Sequence, residues 1–96
     1  MSLLKNPVHP GEVLGELFLA PLEMSAGALA KRLGVPRTRI ERLVKGDTAL
    51  TADTALRLAA FFGNMPEFWL NLQRAHDLAA ASREVDVSHI RPLAAA

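Results

Sequence analysis

The segment of residues 25–46 constrains the fold more than any other part of this sequence. It reads SAGALAKRLGVPRTRIERLVKG, which is one helical pattern, a break at Gly34, and a second helical pattern rich in arginine. Glycine adopts a left-handed backbone without a steric penalty, so the chain can reverse within three residues at this point. Because two helices joined this tightly cannot lie parallel, the sequence predicts that they cross steeply and that the second faces outward.

Both helices of this segment carry an apolar face at helical spacing. Ser25 is a good N-cap for the first, and Pro36 is expected at the start of the second. The inner faces are predicted to be Leu29, Ala30 and Leu33 in the first helix, and Ile40, Leu43 and Val44 in the second. The other side chains of the second helix are mainly polar, and we expect them to face solvent.

The positive charge of the chain is concentrated here. Residues 31–45 contain six of the eleven Lys and Arg residues and one acid, a net charge of +5, whereas the whole chain carries +1. A concentrated basic helix on a small domain is typical of DNA binding. A charge run of this kind can also be an ordinary solvated face. The glycine turn before the helix and its matching inner stripe favour DNA binding.

Three further helices complete an all-α fold of five helices. The first is predicted over residues 10–19, with Pro10 at its first position and Pro21 ending it. Its buried face is predicted to be Val13, Leu14, Leu17 and Phe18. The fourth helix follows an N-cap at Thr51 and ends at Gly63, and Pro66 opens the fifth. The apolar ridge of the fifth helix is Phe68, Trp69, Leu72, Ala75 and Leu78.

The length of 96 residues indicates one domain. We predict an N-terminal arm at residues 1–9, the helix-turn-helix domain at 10–82, and a C-terminal tail at 83–96 that is either a short strand or frayed. Without cysteine the chain has no disulfide and no thiolate metal site. No apolar run reaches the length of a membrane span and no secretory segment is evident, so we expect a cytoplasmic protein with no membrane partner.

No enzymatic chemistry is indicated by the sequence. The three histidines, His9, His76 and His89, fall in the arm, a helix and the tail, and they form no metal-binding spacing. No paired carboxylates, phosphate loop or nucleophile motif is present. We therefore expect no catalytic residue, no metal and no cofactor.

Seven residues are predicted to contact DNA. A helix fits the major groove, where arginine can donate two hydrogen bonds to guanine and the threonine methyl group can contact thymine. On this basis the base-reading residues are Arg37, Thr38 and Arg42. Side chains at the edges or ends of the helices favour phosphate contacts. These are Ser25, Arg39, Lys45 and Thr48.

With these residues in place, the chain resembles lambda-repressor-like (XRE-type) DNA-binding domains. More specifically, it resembles the HigA/VapI antitoxins of bacterial toxin–antitoxin pairs. The matching blocks are HPGE at residues 9–12, GVP at 34–36, TADTALRL at 51–58, and PEFWLNLQ at 66–73. The chain departs from the family pattern at Ala26, where relatives often have Gln. It also departs at Met65, where relatives often have Ser, and Asn64 is a possible replacement cap for the fifth helix.

The resemblance implies a cytoplasmic antitoxin that binds its own operator as a homodimer and neutralises a HigB-type toxin, a ribosome-dependent messenger-RNA endonuclease. The surface expected for the dimer or a partner is Phe68, Trp69 and Leu72, although Trp69 also suits the core. Two alternatives stay open: a stand-alone transcriptional repressor without a toxin, and a protein-binding adaptor that has lost DNA binding.

Overall fold

The computed structural model describes residues 8–94, which form five helices and no strand. Helix α1 covers Pro10–Leu22, α2 Ala26–Leu33, α3 Arg37–Lys45, α4 Ala52–Phe62 and α5 Pro66–Glu84. The all-α, five-helix prediction is confirmed. The predicted arm lies outside the described residues except for positions 8 and 9. The predicted tail is described up to residue 94, and its first two residues belong to α5.

No single helix within residues 8–94 is long and apolar enough to cross a membrane. Helices α1 and α2 reach that length and composition only when taken together, and they are bent by 96° at their junction.

Helix α1 contains a π-helical stretch that sequence periodicity did not reveal. Residues Leu14–Leu19 are π-helical, and the N–H of Ala20 donates to the carbonyl of Gly15, five residues back. This wider turn rotates Leu17 into solvent, where it is 65% exposed, and brings Leu19 into the core. The prediction that Leu17 lies on the buried face was therefore wrong.

Pro21 lies inside α1, so the prediction that it ends the helix was also wrong. Proline in a helix removes one N–H donor and crowds the carbonyl four residues earlier, and the π turn before it relaxes that backbone ladder. The helix ends instead at Leu22, followed by Glu23 in the left-handed conformation with φ of 52°.

The predicted caps and the turn of the helix-turn-helix are present. The Ser25 and Thr51 hydroxyl oxygens accept hydrogen bonds from the N–H groups of Ala28 and Thr54. Gly34 is left-handed, with φ of 73°, and ends α2. Pro36 has an extended backbone, with ψ of 144°, so it precedes α3 rather than occupying its first position.

The core is built around large side chains contributed by all five helices. Its most deeply buried apolar side chains are those of Leu14, Leu29, Ile40, Leu43, Leu58 and Trp69. Ile40 and Leu43, which are 0% and 2% exposed, hold α3 against this core. Burying each such side chain stabilises the fold by about 1.5–3 kcal/mol.

Trp69 is 0% exposed and therefore belongs to the core rather than to a partner surface. Its indole Nε1 donates to Oδ1 of Asn64 at 3.0 Å. Asn64 therefore does not cap α5 as proposed from the sequence, because its side-chain oxygen serves the buried indole, and the N-cap Met65 has no side-chain cap bond. Of the other predicted interface residues, Phe68 is 40% exposed and Leu72 is half-buried.

The loop after α3 is tied to α5 by a buried hydrogen bond. The N–H of Leu50 donates to Oε1 of Gln73 at 2.7 Å, and Nε2 of Gln73 donates to Asp77. An unpaired buried amide would be costly, so Gln73 fixes the position of this loop relative to α5.

Helix α1 crosses the C-terminal end of α3 at backbone contact distance. A Cβ atom added at Gly11 would lie 1.6 Å from the carbonyl oxygen of Leu43. Because the obstructing atom belongs to the backbone, a rotamer change cannot relieve the overlap. Glycine at this position thus sets how closely α1 approaches the outward-facing helix.

His9 caps α1 and lies in the same junction. Its Nδ1 accepts a hydrogen bond from the N–H of Gly11 at 2.9 Å, its ring meets that of His76 edge-on at 5.0 Å, and it lies beside Gly46 at the end of α3. Burial lowers the pKa of His9 below its usual value, and His76 lowers this pKa further. A hydrogen bond to the Thr48 backbone and the carboxylates of Asp77 and Glu12 act in the opposite direction on the pKa.

We expect Gly11→Ala to lower the free energy of unfolding by about 2–3 kcal/mol, because α1 must move away from α3. Gly15→Ala is the matched control, since its Cβ would lie 3.2 Å from a side-chain methyl group of Val44, an overlap of only a few tenths of an ångström and not with the backbone. Urea unfolding measures both values. Equal small effects of the two substitutions would contradict the close backbone crossing.

We expect the free energy of unfolding to fall as the pH is lowered from about 7 into the range below 6.5, the usual pKa of histidine. Because the folded state depresses the pKa of His9, the unfolded chain binds this proton first, and the stability from neutral His9 is lost with acidification. His9→Asn keeps a side-chain acceptor for the cap but does not titrate, so its stability should depend less on pH. Urea unfolding across this pH range measures the difference, and identical pH profiles would contradict a role for His9.

Candidate nucleic-acid interface

Helix α3 presents its polar side chains to solvent, as predicted. The three predicted base-reading residues, Arg37, Thr38 and Arg42, are all exposed, whereas Ile40 and Leu43 on the opposite face are buried. All four predicted phosphate-contacting residues are exposed as well. The core anchors and the polar face therefore occupy different sides of one nine-residue helix.

A cleft of about 470 Å³ runs between α3 and the start of α4. We call it the α3–α4 cleft. Four of the seven predicted DNA-contacting residues line it, namely Thr38, Arg39, Arg42 and Thr48. The loop held by Gln73 forms part of its wall, since Thr48 and Ala49 belong to that loop. The structure thus gathers residues from the helix and from the following loop into one surface.

Arg37 lies on the other side of α3, next to the start of α2. A Cβ added at Gly27 would lie 3.0 Å from Cδ of Arg37, so the aliphatic stem of Arg37 packs across this glycine. Its Nε is 3.3 Å from Oε2 of Glu41, one helical turn later. An exposed pair of this kind contributes at most a few tenths of a kcal/mol, so the guanidinium can exchange Glu41 for another acceptor at little cost.

Arg39 is engaged more firmly. Its Nη1 donates to Oδ1 of Asp53 at 2.7 Å, and Nε of Arg57 donates to the same oxygen at 2.8 Å. These hydrogen bonds, led by that from Arg57, lower the pKa of Asp53 below its usual value because they stabilise the charged carboxylate. Within residues 8–94, Arg42 and Lys45 have no acidic partner.

Ser25 is placed so that its hydroxyl group can still donate a hydrogen bond. Its oxygen accepts the N–H of Ala28, and the side chain is exposed at the positive end of the α2 dipole. Lys45 is exposed in the last turn of α3. Neither residue lines the α3–α4 cleft.

Sequence reasoning assigned no functional role to Asp53 and Arg57. Their spacing of four residues on a predicted helix was a readable signal for an ion pair. The hydrogen bond from Arg39, which lies on another helix, could not be predicted from this spacing. His9 and His76, which are far apart in sequence, meet in the folded chain, and no group of three potential metal ligands occurs within residues 8–94.

Comparison with known proteins agrees with this geometry. The helix-turn-helix family model (HTH_3) matches residues 16–70. Virulence-associated protein I of Dichelobacter nodosus is 48% identical over 77 residues, covering 80% of this chain and 71% of the relative. Antitoxin HigA-1 of Vibrio cholerae serotype O1 is 47% identical over 74 residues, covering 77% of this chain and 70% of the relative. The chain belongs to the HigA/VapI family of helix-turn-helix proteins.

A solved member of the HigA/VapI family has the same fold over nearly the whole chain. The structure of Pseudomonas aeruginosa antitoxin HigA with the higBA promoter superimposes with a TM-score of 0.85 at 34% identity. The match covers 93% of this chain and 100% of that chain. The resemblance inferred from the HPGE, TADTALRL and PEFWLNLQ blocks is thereby confirmed.

Proposed function

We propose that this protein is an antitoxin that represses its own operon by binding operator DNA and that neutralises a HigB-type toxin. One observation carries the proposal: α3 is a basic helix held with its polar face outward, in a chain of the fold found in HigA on promoter DNA. The relative HigA-1 of V. cholerae is an antitoxin. The protein is proposed to act in the cytoplasm, where operator DNA is found.

Helix α3 is proposed to read base pairs in the major groove. The groove is about 12 Å wide and accepts one helix. Arg42 is exposed and has no acidic partner within residues 8–94, so its guanidinium can donate to O6 and N7 of guanine. The methyl group of Thr38, one turn earlier, can contact a thymine methyl. Arg37 reads a further base after leaving Glu41.

Phosphate contacts are proposed for side chains around this helix. Ser25 can donate its hydroxyl hydrogen at the start of α2, where the helix dipole favours an anion. Thr48 and Arg39 line the α3–α4 cleft, and Lys45 is exposed in the last turn of α3. Such contacts position α3 on the duplex without reading sequence.

A homodimer is proposed because a single recognition helix offers limited discrimination. Two copies related by a two-fold axis would place their α3 helices about 34 Å apart, one turn of DNA. Phe68 and Leu72 are proposed as interface residues of α5. Phe68 is 40% exposed, and its ring packs edge-on against that of Trp69, with 5.0 Å between the centroids. The buried indole therefore helps to fix the orientation of the Phe68 ring.

Toxin neutralisation rests on family membership. Within residues 8–94 the chain is folded up to Glu84, so a toxin would meet a folded surface or the segment that follows α5. A stand-alone repressor would bind operator DNA equally well but would have no toxin partner. An adaptor that has lost DNA binding would show no preference for operator DNA over a scrambled duplex.

We expect Arg42→Ala to weaken binding to the cognate operator by about 1–3 kcal/mol and to relax preference at one base pair. Lys45→Ala should weaken binding to operator and scrambled duplexes alike and should reduce the salt slope by about one unit. Fluorescence anisotropy with DNA from upstream of the gene, measured across salt concentrations, separates the two effects. Sedimentation of the operator complex should give two chains per duplex.

Equal, sequence-blind losses in both variants would show that Arg42 does not read bases. No preference of the wild-type chain for the upstream DNA over a scrambled duplex would reject the repressor function as a whole.

We expect co-expression of this chain to rescue growth of cells that express a neighbouring HigB-type toxin gene, and the two proteins to co-purify. Arg42→Ala should rescue growth as well as the wild type, because DNA contact is not required to occupy a toxin. Failure of rescue with a stable, operator-binding chain would favour the stand-alone repressor.

A further inference from the structure

Asp53, at the start of α4, is linked to α3 through one carboxylate oxygen, and Arg57 extends this connection to α2. Oδ1 accepts from Nη1 of Arg39 on α3 at 2.7 Å and from Nε of Arg57 on α4 at 2.8 Å. Nη1 of Arg57 also donates to the carbonyl of Leu33, the last residue of α2, at 2.8 Å. We call these three side chains the Asp53 brace. It connects the end of α2, the outward-facing α3 and the start of α4.

The brace also bonds to a backbone carbonyl, that of Leu33, which distinguishes it from an isolated surface ion pair. The carbonyl of Leu33 is among those left without a partner at the end of α2, and a cation is favoured there by the helix dipole. Arg57 also lies next to the turn, since a Cβ added at Gly34 would be 3.7 Å from its Nη1. Arg57 is therefore held by a fixed backbone group, and through Asp53 it orients Arg39.

The brace lies on the proposed DNA face. Arg39 and Asp53 line the α3–α4 cleft together with Thr38 and Arg42. A carboxylate on a surface that approaches phosphates lowers affinity for any duplex, and a guanidinium bonded to it is no longer a mobile cation. The Asp53 side chain is 56% exposed and lies in the first turn of α4, where the helix dipole also favours an acid.

We propose that Asp53 is a specificity-determining residue for operator binding. It holds the Arg39 guanidinium in one orientation, so that Arg39 meets a phosphate when α3 docks in the operator register and contributes little to binding of unrelated DNA. Its negative charge further weakens non-specific association. This inference rests on the proposed operator-binding function.

Asp53→Asn is expected to weaken the hold on Arg39, since a neutral amide accepts less strongly than a carboxylate, and to strengthen binding to a scrambled duplex by about tenfold at roughly 0.1 M salt. The salt slope on that duplex should steepen by about one unit, since one more phosphate is neutralised. Binding to the operator should change less, so the ratio of operator to scrambled affinity should fall. Anisotropy titrations of the full chain with both duplexes measure this ratio.

Asp47→Asn is the matched control. It makes the same charge change in the loop just after α3, and within residues 8–94 the Asp47 side chain forms no ion pair with a basic residue. An equal effect of Asp47→Asn would show that net charge alone is responsible and would overturn the proposal.

Arg39→Ala provides a second test that does not alter Asp53. A held Arg39 contributes mainly to the operator complex, so this variant should weaken operator binding more than scrambled binding, and the loss on scrambled DNA should be no larger than the gain seen with Asp47→Asn. In the double variant Arg39→Ala, Asp53→Asn, the gain on scrambled DNA should be lost apart from the part also seen with Asp47→Asn. Equal loss on both duplexes with Arg39→Ala would overturn the proposal.

Circular dichroism should show that Asp53→Asn and Asp47→Asn are both folded at the temperature of the DNA measurements, so that unfolding does not account for a change in the affinity ratio. The proposed function fails if the wild-type chain shows no operator preference. The present inference fails if the wild type has that preference and Asp53→Asn retains the wild-type ratio.

Discussion

The backbone contact between α1 and the end of α3 is the constraint on which the rest of this structure depends. Gly11 lies against the Leu43 carbonyl so closely that an added methyl group would overlap it. The side chain of this same residue, Leu43, is buried in the core. Helix α3 is thus held from its apolar face and from its C-terminal backbone, which leaves its polar face as the side that a duplex can approach.

The loop after α3 is held in position by contacts with α1 and α5. Gln73 of α5 binds the Leu50 amide, and His9 at the start of α1 lies beside Gly46 and bonds to the Thr48 backbone. Residues at the start of α1 and on α5, which are far apart in the sequence, therefore both fix the position of this short loop. Because that segment supplies Thr48 and a wall of the α3–α4 cleft, the packing of α1 and α5 determines the shape of the proposed DNA-facing surface.

The basic residues of α3 are not equivalent, although the sequence presents them as one run. Arg37 forms an exposed pair with Glu41 and packs over Gly27, Arg39 is held by Asp53, and Arg42 has no acidic partner within residues 8–94. Acids near a DNA-binding helix reduce its general attraction to phosphate and leave more of the binding energy to contacts that depend on sequence. The arginines of α3 therefore differ in how freely their guanidinium groups can leave the protein surface, according to which acids the fold brings beside them.

The sequence by itself determined the five helices, most of their ends, and the inner face of α3, because these depend on local chemistry: caps at Ser25 and Thr51, left-handed glycines, and apolar spacing. It also indicated the family, and it placed the seven proposed DNA-contacting residues on exposed positions. The tertiary structure decided what local rules cannot express. The π turn that carries α1 through Pro21, the burial of Trp69 with its bond to Asn64, and the Asp53 brace each depend on groups from separate elements or on a backbone ladder that periodicity does not reveal. Contacts of this kind arise only when helices pack, since the energy that selects them comes from burial and from pairing across the fold.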